Sequence, residues 1–185
     1  MNKNSPFALP RLKEVFEILR RGRHICPEDG DIYWAVHDNL DSFHDLFSHL
    51  GFHLKAHHRD FFYFHGQGSL SDTGARMGVF MFILLEAMGD QGKSVEEELM
   101  TATFSLSDMP HLSGNRYRSY MKEAGIDGEE GLELVIRNME RFGFLQRLHE
   151  GSFRFRIPVY RFLDLCHDVL SEARPDVEEE EEVCS

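Results

Sequence analysis

Histidine is the most suggestive chemical feature of this sequence, because imidazole binds transition metals and moves protons near neutral pH. Eight of the eleven histidines lie between His24 and His65. Zinc sites usually show H-E-x-x-H or paired C-x-x-C spacing, and neither pattern occurs here. His57 and His58 are adjacent in a polar segment. We therefore expect surface histidines, one or two hydrogen-bonded core histidines, and no metal site.

The patterns of nucleophilic catalysis and nucleotide binding are also missing from the sequence. No G-x-S-x-G elbow occurs. His24 and Cys26 are two residues apart, a spacing that on a strand only places both side chains on one face. The segment Gly66-Gln67-Gly68-Ser69 lacks the G-K-[ST] ending of a phosphate-binding loop. We predict a protein that is not an enzyme and needs no cofactor, so any associated ATPase activity belongs to a partner.

The cysteines and the apolar runs indicate a cellular compartment. Cys26, Cys166 and Cys184 are odd in number and show no paired spacing, which predicts reduced thiols. The apolar run at 78–85 is far shorter than the roughly 20 residues that cross a bilayer. Residues 1–10 contain no apolar stretch of signal-peptide length. We expect a cytoplasmic protein with no membrane contact.

The net charge of −12 is unevenly distributed. Residues 171–185 have a net charge of −6 and include five consecutive glutamates, which predicts a disordered acidic tail. Two other segments, residues 111–122 and 144–161, are locally basic. Such patches are a modest indication of nucleic-acid contact on a chain that is acidic overall.

Residues 1–70 have the pattern of three helices followed by a β-hairpin. Apolar side chains at three- and four-residue spacing predict helices at 9–21, 29–37 and 39–50, and Gly51 ends the third helix. Alternating apolar residues at 52–56, a polar turn and an aromatic segment at 61–64 predict the hairpin.

Residues 71–170 repeat this order. The spacing predicts helices at 73–88, 94–104, 115–124, 127–142 and 158–171, and Ser94 and Glu97 are placed as a capping box. Strands are predicted on either side of a turn at 149–152. Gly51-Phe52 and Gly143-Phe144 occupy equivalent places, at the end of the main helix of each half.

Three helices and a hairpin make up the winged-helix fold, in which the third helix and the hairpin approach DNA. We therefore predict a mainly α structure with short β-hairpins, an α+β fold, arranged as tandem winged-helix domains. The predicted domains are residues 1–70 and 71–170, followed by the acidic tail.

The sequence also resembles a known family across about residues 8–165. The segments that carry the resemblance are Val15-Phe16-Glu17-Ile18-Leu19 with Arg21-Gly22-Arg23-His24-Ile25, then Leu46-Phe47-x-x-Leu50-Gly51-Phe52-x-Leu54, then Phe61-Phe62-Tyr63-Phe64. They resemble the MksE branch of the MukE-like proteins. These are the tandem winged-helix, or kite, subunits of the MukBEF, MksBEF and Wadjet SMC complexes.

The resemblance implies a non-catalytic subunit of a condensin-like complex. Its partners would be a kleisin (MksF- or MukF-like) and, through the kleisin, the SMC ATPase (MksB- or MukB-like). Such subunits often form a homodimer and help to hold double-stranded DNA without sequence specificity. The implied roles on the nucleoid are chromosome organisation, condensation and segregation, or defence against plasmids.

Arginines in the C-terminal part are the candidate DNA contacts. Arg137 and Arg141 lie four residues apart and share one face of the predicted third helix. Arg154 and Arg156 alternate with phenylalanines, so we expect them to project together from the hairpin. Helix and hairpin would then present four cations to DNA phosphates. Further candidates are Arg116 and Arg118.

Apolar residues on one helix and one strand are the candidate partner contacts. The helix set is Met77, Phe80, Met81 and Leu84, which could serve inter-domain packing, dimerisation or partner binding. A stripe of Met and Phe at helical spacing is, however, more often core than interface. Phe61 and Phe62 are adjacent in one strand and point to opposite faces, so one of them must be exposed or covered by another element.

Two alternative functions stay open. A stand-alone winged-helix transcription regulator would be more basic and would carry base-reading side chains on its third helices. The predicted third helix of residues 1–70 contains or adjoins three acids, Asp38, Asp41 and Asp45, which would repel phosphates. This counts against a regulator in which both domains read DNA. The second alternative is a small metal-dependent enzyme built on the histidines.

Overall fold

The computed structural model describes residues 8–66, 71–92, 94–149 and 151–165. We call residues 8–66 the N-terminal half and residues 71–165 the C-terminal half. The chain is mainly helical with small antiparallel sheets, which confirms the predicted α+β class. The acidic tail predicted at 171–185 and most of the connector at 66–69 lie outside the described residues.

The N-terminal half contains three helices and a hairpin, as predicted. The elements are α1 (Leu12–Arg20), α2 (Asp31–His37), α3 (Leu40–His49), β1 (His53–His57) and β2 (Phe61–His65). Strands β1 and β2 are antiparallel, with His57 opposite Phe61 beside the turn. Ile25 forms a further antiparallel bridge with Phe62, so β2 has a neighbour on each side.

The C-terminal half has more elements. They are α4 (Asp72–Asp90), α5 (Val95–Thr101), β3 (Phe104–Ser105), α6 (Asn115–Glu123), α7 (Gly128–Phe142), β4 (Leu145–Arg147) and β5 (Ser152–Phe155). A final helix is described over residues 160–165. The three strands form an antiparallel sheet in the order β3-β5-β4.

Three local predictions in the C-terminal half are wrong. Helix α4 continues to Asp90, two residues beyond the predicted end at residue 88. Phe104 belongs to β3 rather than to a helix, because the chain becomes extended at Ala102. Ser94 precedes α5, but its side chain forms no capping hydrogen bond.

The two halves share a topology beyond the predicted order. In each, the returning hairpin strand pairs on its far side with a short extended segment that precedes the next helix. This segment is Ile25 beside β2 in the N-terminal half and β3 beside β5 in the C-terminal half. Helices α3 and α7 are both followed by a glycine with a left-handed backbone, Gly51 and Gly143.

The buried apolar side chains form two large clusters, one drawn from residues 15–62 and one from residues 77–159. A third, small cluster joins Cys26 and Phe61 of the N-terminal half to Tyr160 of the final helix. The two halves are therefore packed against each other. Within the described residues, no helix combines the length and apolar character needed to span a membrane.

Gly143 and Gly51 offer a matched test of this packing. An alanine Cβ at Gly143 would lie 3.1 Å from the carbonyl oxygen of His24 in the other half, whereas at Gly51 it would meet nothing within 4 Å. The left-handed backbone costs alanine about 1–2 kcal/mol at either position. We expect Gly143→Ala to lower the free energy of unfolding by about 1 kcal/mol more than Gly51→Ala, because only Gly143 adds a steric conflict. Urea unfolding of both variants measures this; equal losses would contradict the packing.

Candidate functional site

Arg156 lies in the contact between the two halves and is almost fully buried. Its guanidinium is 3.0 Å from Asp29 and 3.2 Å from Glu28, and it donates to the sulfur of Cys26 at 3.0 Å. Burial acts to lower the pKa of Arg156, but Cys26, Asp29 and Glu28 more than offset it and the pKa is raised. Burial also raises the pKa of Cys26 to about 11, so this thiol stays protonated.

The prediction that Arg156 projects with Arg154 towards DNA is therefore wrong. Strand β5 ends at Phe155, and the chain then turns into a short 3-10 helix at Ile157–Val159. Arg156 itself is still extended, and both guanidiniums approach Glu28, at 3.9 Å from Arg154 and 3.2 Å from Arg156. The two arginines therefore share a side and differ in burial, because the N-terminal half covers Arg156. Arg154 remains exposed, while Arg156 crosses to the acidic residues of the N-terminal half.

A second contact between the halves centres on His24. Its backbone N–H donates to the carbonyl oxygen of Phe142 at 3.0 Å, and its ring Nδ1 lies 2.9 Å from the same oxygen. Arg161 donates to His24 Nε2 at 2.8 Å and also stacks over the ring of Tyr63. Nδ1 therefore carries the proton of a neutral imidazole. Burial, together with the charge of Arg161, lowers the pKa of His24 to about 3. We call the contacts of Arg156 and His24 the inter-half joint.

The C-terminal half exposes three of the four main DNA candidates. Arg137 and Arg141 lie on one face of α7, and Arg154 lies on β5. Arg137 is 3.6 Å from Glu133, and Arg154 donates to Gln146 at 3.0 Å. Exposed contacts of this kind are worth little, so a phosphate can replace them.

The other two DNA candidates lie on α6 and have stronger internal contacts. Arg116 forms an ion pair with Glu86 and donates to the hydroxyl of Tyr120 at 3.0 Å. Arg118 donates twice to the carbonyl oxygen of Leu112, at 2.7 and 3.0 Å. Both guanidiniums therefore hold α6 to its neighbours.

All six candidate partner contacts are buried. Met77, Phe80, Met81 and Leu84 belong to the core of the C-terminal half, because this face of α4 packs against the other elements. Phe62 belongs to the N-terminal core, and Phe61 is covered by Tyr160. The sequence predicted that either Phe61 or Phe62 would be exposed or covered by another element, and Phe61 is covered. The predicted helix set forms no exposed surface.

An exposed apolar groove lies instead between α1 and α3. Its volume is about 390 Å³, and its lining residues are Leu12, Lys13, Phe16, Leu46, Phe47 and Leu50. Leu50 is 58% exposed, which is unusual for a leucine at the end of a core helix. Sequence periodicity alone did not reveal the groove, because the same spacing also describes a fully covered helix face.

Two histidines are core residues, as predicted. His24 is one, and His111 is the other. His111 lies 2.9 Å from the carbonyl oxygen of Phe80 and stacks on the phenylalanine ring. Burial lowers the pKa of His111 to about 4.

A group of ligand-type side chains was missed by the sequence analysis. His57, His58 and Asp164 have ligand atoms within 4.8 Å of one another. His57 Nε2 lies 2.6 Å from Asp164 Oδ2. No local spacing could reveal this group, because Asp164 lies on the final helix, 107 residues away in the sequence.

The pKa of His24 predicts a pH-dependent stability. Between pH 6.5 and about 3 only the unfolded chain takes up this proton, so the stability from His24 is present above pH 6.5 and is lost as the pH falls. His24→Gln cannot titrate. We expect it to be less stable than wild type at pH 7.5, and the difference to shrink by about 2 kcal/mol at pH 5.

Urea unfolding at both pH values measures this difference. His44→Gln is the control, because His44 is exposed on α3 and distant from the joint in the sequence. A difference between wild type and His24→Gln that stays constant with pH would contradict a neutral, buried His24.

The comparisons with known proteins agree with the resemblance. The family model described as condensin complex protein MksE matches residues 10–167, which is most of the chain. No curated protein matches the chain. The matched segment includes both halves and the residues of the inter-half joint. The chain therefore belongs to the MksE family of condensin complex proteins.

Proposed function

We propose that the chain is the non-catalytic, kleisin-binding subunit of an MksBEF-type SMC complex. The family match over residues 10–167 carries this proposal. The repeated topology supports tandem winged-helix domains, residues 1–70 and 71–170, because each half pairs an early extended segment with its returning hairpin strand. The subunit would act in the cytoplasm on the nucleoid, as a homodimer, in chromosome organisation and segregation or in plasmid defence.

The kleisin contact is proposed at the groove between α1 and α3. This surface combines the exposed Leu50 with the partly buried Phe16, a composition that can receive an apolar partner segment. Lys13 on its rim would favour an acidic residue in that segment. The neighbouring exposed acids Asp41 and Asp45 make the same half unfavourable for DNA phosphates.

DNA contact is proposed at α7 and the β4–β5 hairpin, through Arg137, Arg141 and Arg154. These three side chains are exposed and have only weak internal partners. Glu129, Glu130 and Glu133 lie along the same helix, so the contact would be weak and would depend on the assembled complex. Contacts with phosphates do not depend on the base sequence, and their affinity falls as the salt concentration rises.

The kleisin proposal predicts the behaviour of Leu50→Asp. We expect wild type to co-elute with the kleisin-like and SMC-like proteins of the same genome in size-exclusion chromatography with light scattering. Leu50→Asp should lower kleisin affinity by at least about tenfold, because it places a charge in an apolar contact. Leu148→Asp, which changes another exposed leucine outside the groove, should bind as wild type does. Co-elution that is unaffected by Leu50→Asp would exclude the groove, and no co-elution at all would contradict the proposed function.

The DNA proposal predicts the behaviour of Arg137→Ala/Arg141→Ala in the assembled complex. Loss of two phosphate contacts should weaken binding to random-sequence duplex DNA and reduce the salt slope by about 2. Arg20→Ala/Arg21→Ala, a matched change of two exposed arginines at the C-terminal end of α1, is the control. Fluorescence anisotropy at several salt concentrations measures both. A salt slope that is unchanged in Arg137→Ala/Arg141→Ala would contradict DNA contact at α7. Tight, sequence-selective DNA binding by the chain alone would favour a transcription regulator.

A further inference from the structure

The strongest unexplained feature is the group of His57, His58 and Asp164, which lies between the two halves. His57 ends β1, His58 follows it in the hairpin turn, and Asp164 lies on the final helix. All three offer a ligand atom within 4.8 Å of the other two. Neither the family nor the proposed function gives these side chains a role.

We propose that His57, His58 and Asp164 bind a divalent transition-metal ion, zinc in particular, which links the N-terminal hairpin to the final helix. Two imidazoles and one carboxylate are a donor set that zinc accepts readily. Because His58 is exposed, the fourth position faces solvent and is available to water. Zinc sites with three protein ligands keep the fourth position for water or another small ligand.

The fixed position of His57 supports the site. Its side chain is 10% exposed, and its ring stacks on the buried ring of Phe61 at a centroid distance of 4.1 Å. Asp164 already contacts Nε2 at 2.6 Å, so the imidazole and the carboxylate come together without rearrangement of either half. Ligand atoms around tetrahedral zinc lie about 3.3 Å apart, given zinc–ligand distances of about 2.0 Å. The His57–Asp164 contact must open slightly, and the exposed ring of His58 must turn inwards.

The protons balance without any co-reactant. The backbone N–H of Arg59 donates to His57 Nδ1 at 3.2 Å, so Nε2 of the metal-free chain carries the proton and donates it to Asp164. Metal binding at Nε2 requires the other tautomer. The proton therefore moves to Nδ1 through solvent, and the long hydrogen bond from Arg59 is lost. A neutral His57 releases no net proton, and acid competes with the metal because protonated imidazole has no free lone pair.

Two nearby cations oppose a bound metal and limit its affinity. Arg59 pairs with Glu96 and stacks over the ring of Tyr160. Arg161 is held by His24 and Tyr63 in the inter-half joint. Both guanidiniums have partners of their own, and Asp164 supplies the negative charge at the site. The expected site is therefore one of moderate affinity.

The test uses the full chain without a polyhistidine tag, stripped with a chelator and titrated with zinc against a chromogenic chelator at pH 7.5. We expect one zinc ion per chain. His58→Ala and Asp164→Asn should each weaken binding by at least about tenfold. Both side chains are partly or fully exposed, so neither change should unfold the chain. His44→Ala, which removes an exposed histidine of α3, should bind as wild type does.

Two further readouts separate this site from general histidine binding. Cobalt(II) should give a tetrahedral visible spectrum in wild type that is lost in Asp164→Asn. Zinc should raise the thermal midpoint of wild type and of His44→Ala, but not of His58→Ala. Zinc binding that does not saturate at one ion per chain, or that is unchanged in both site variants, would overturn the proposal. Either result leaves the kleisin and DNA measurements unaffected.

Discussion

The arrangement of the two halves depends on the burial of Arg156. Its guanidinium is removed from water and bound to Asp29, Glu28 and the sulfur of Cys26, all in the other half. A buried charge without its partner costs about 3–5 kcal/mol. Arg156 can therefore leave Asp29 and Glu28 only if its guanidinium becomes exposed to water at the same time. Neutral His24 completes the joint, since a charged imidazole beside Arg161 would oppose the same packing. A buried ion pair of this kind is weak evidence for added stability, because the loss of hydration can exceed the gain from pairing.

The two packed halves carry two different surfaces. The N-terminal half presents an apolar groove with exposed acids nearby, and the C-terminal half presents exposed arginines on α7 and β5. One surface suits a protein segment, and the other suits phosphates. This division is the basis of the proposal that the subunit connects a protein partner to DNA.

The sequence predicted the elements better than their environment. Periodic apolar spacing located α1, α3, α7 and both hairpins, because each buries one face of a regular element. Strand β3 was missed, since two residues have no period. Arg156 is buried rather than exposed to DNA, and the α4 side chains are core rather than a partner surface, for one reason: a residue pattern identifies faces but not what covers them. The contact between His57 and Asp164 depends on packing between distant segments, which no local pattern contains.

The central claim is that a rigid, two-half subunit binds its kleisin on the outside of the N-terminal half. Hydrogen–deuterium exchange of the full chain, alone and with the kleisin-like protein of the same genome, tests this directly. Slower exchange in α1 and α3 is expected on binding, with little change in the slow exchange of peptides containing His24 and Arg156. Faster exchange across the inter-half joint, or protection confined to the C-terminal half, would contradict the account.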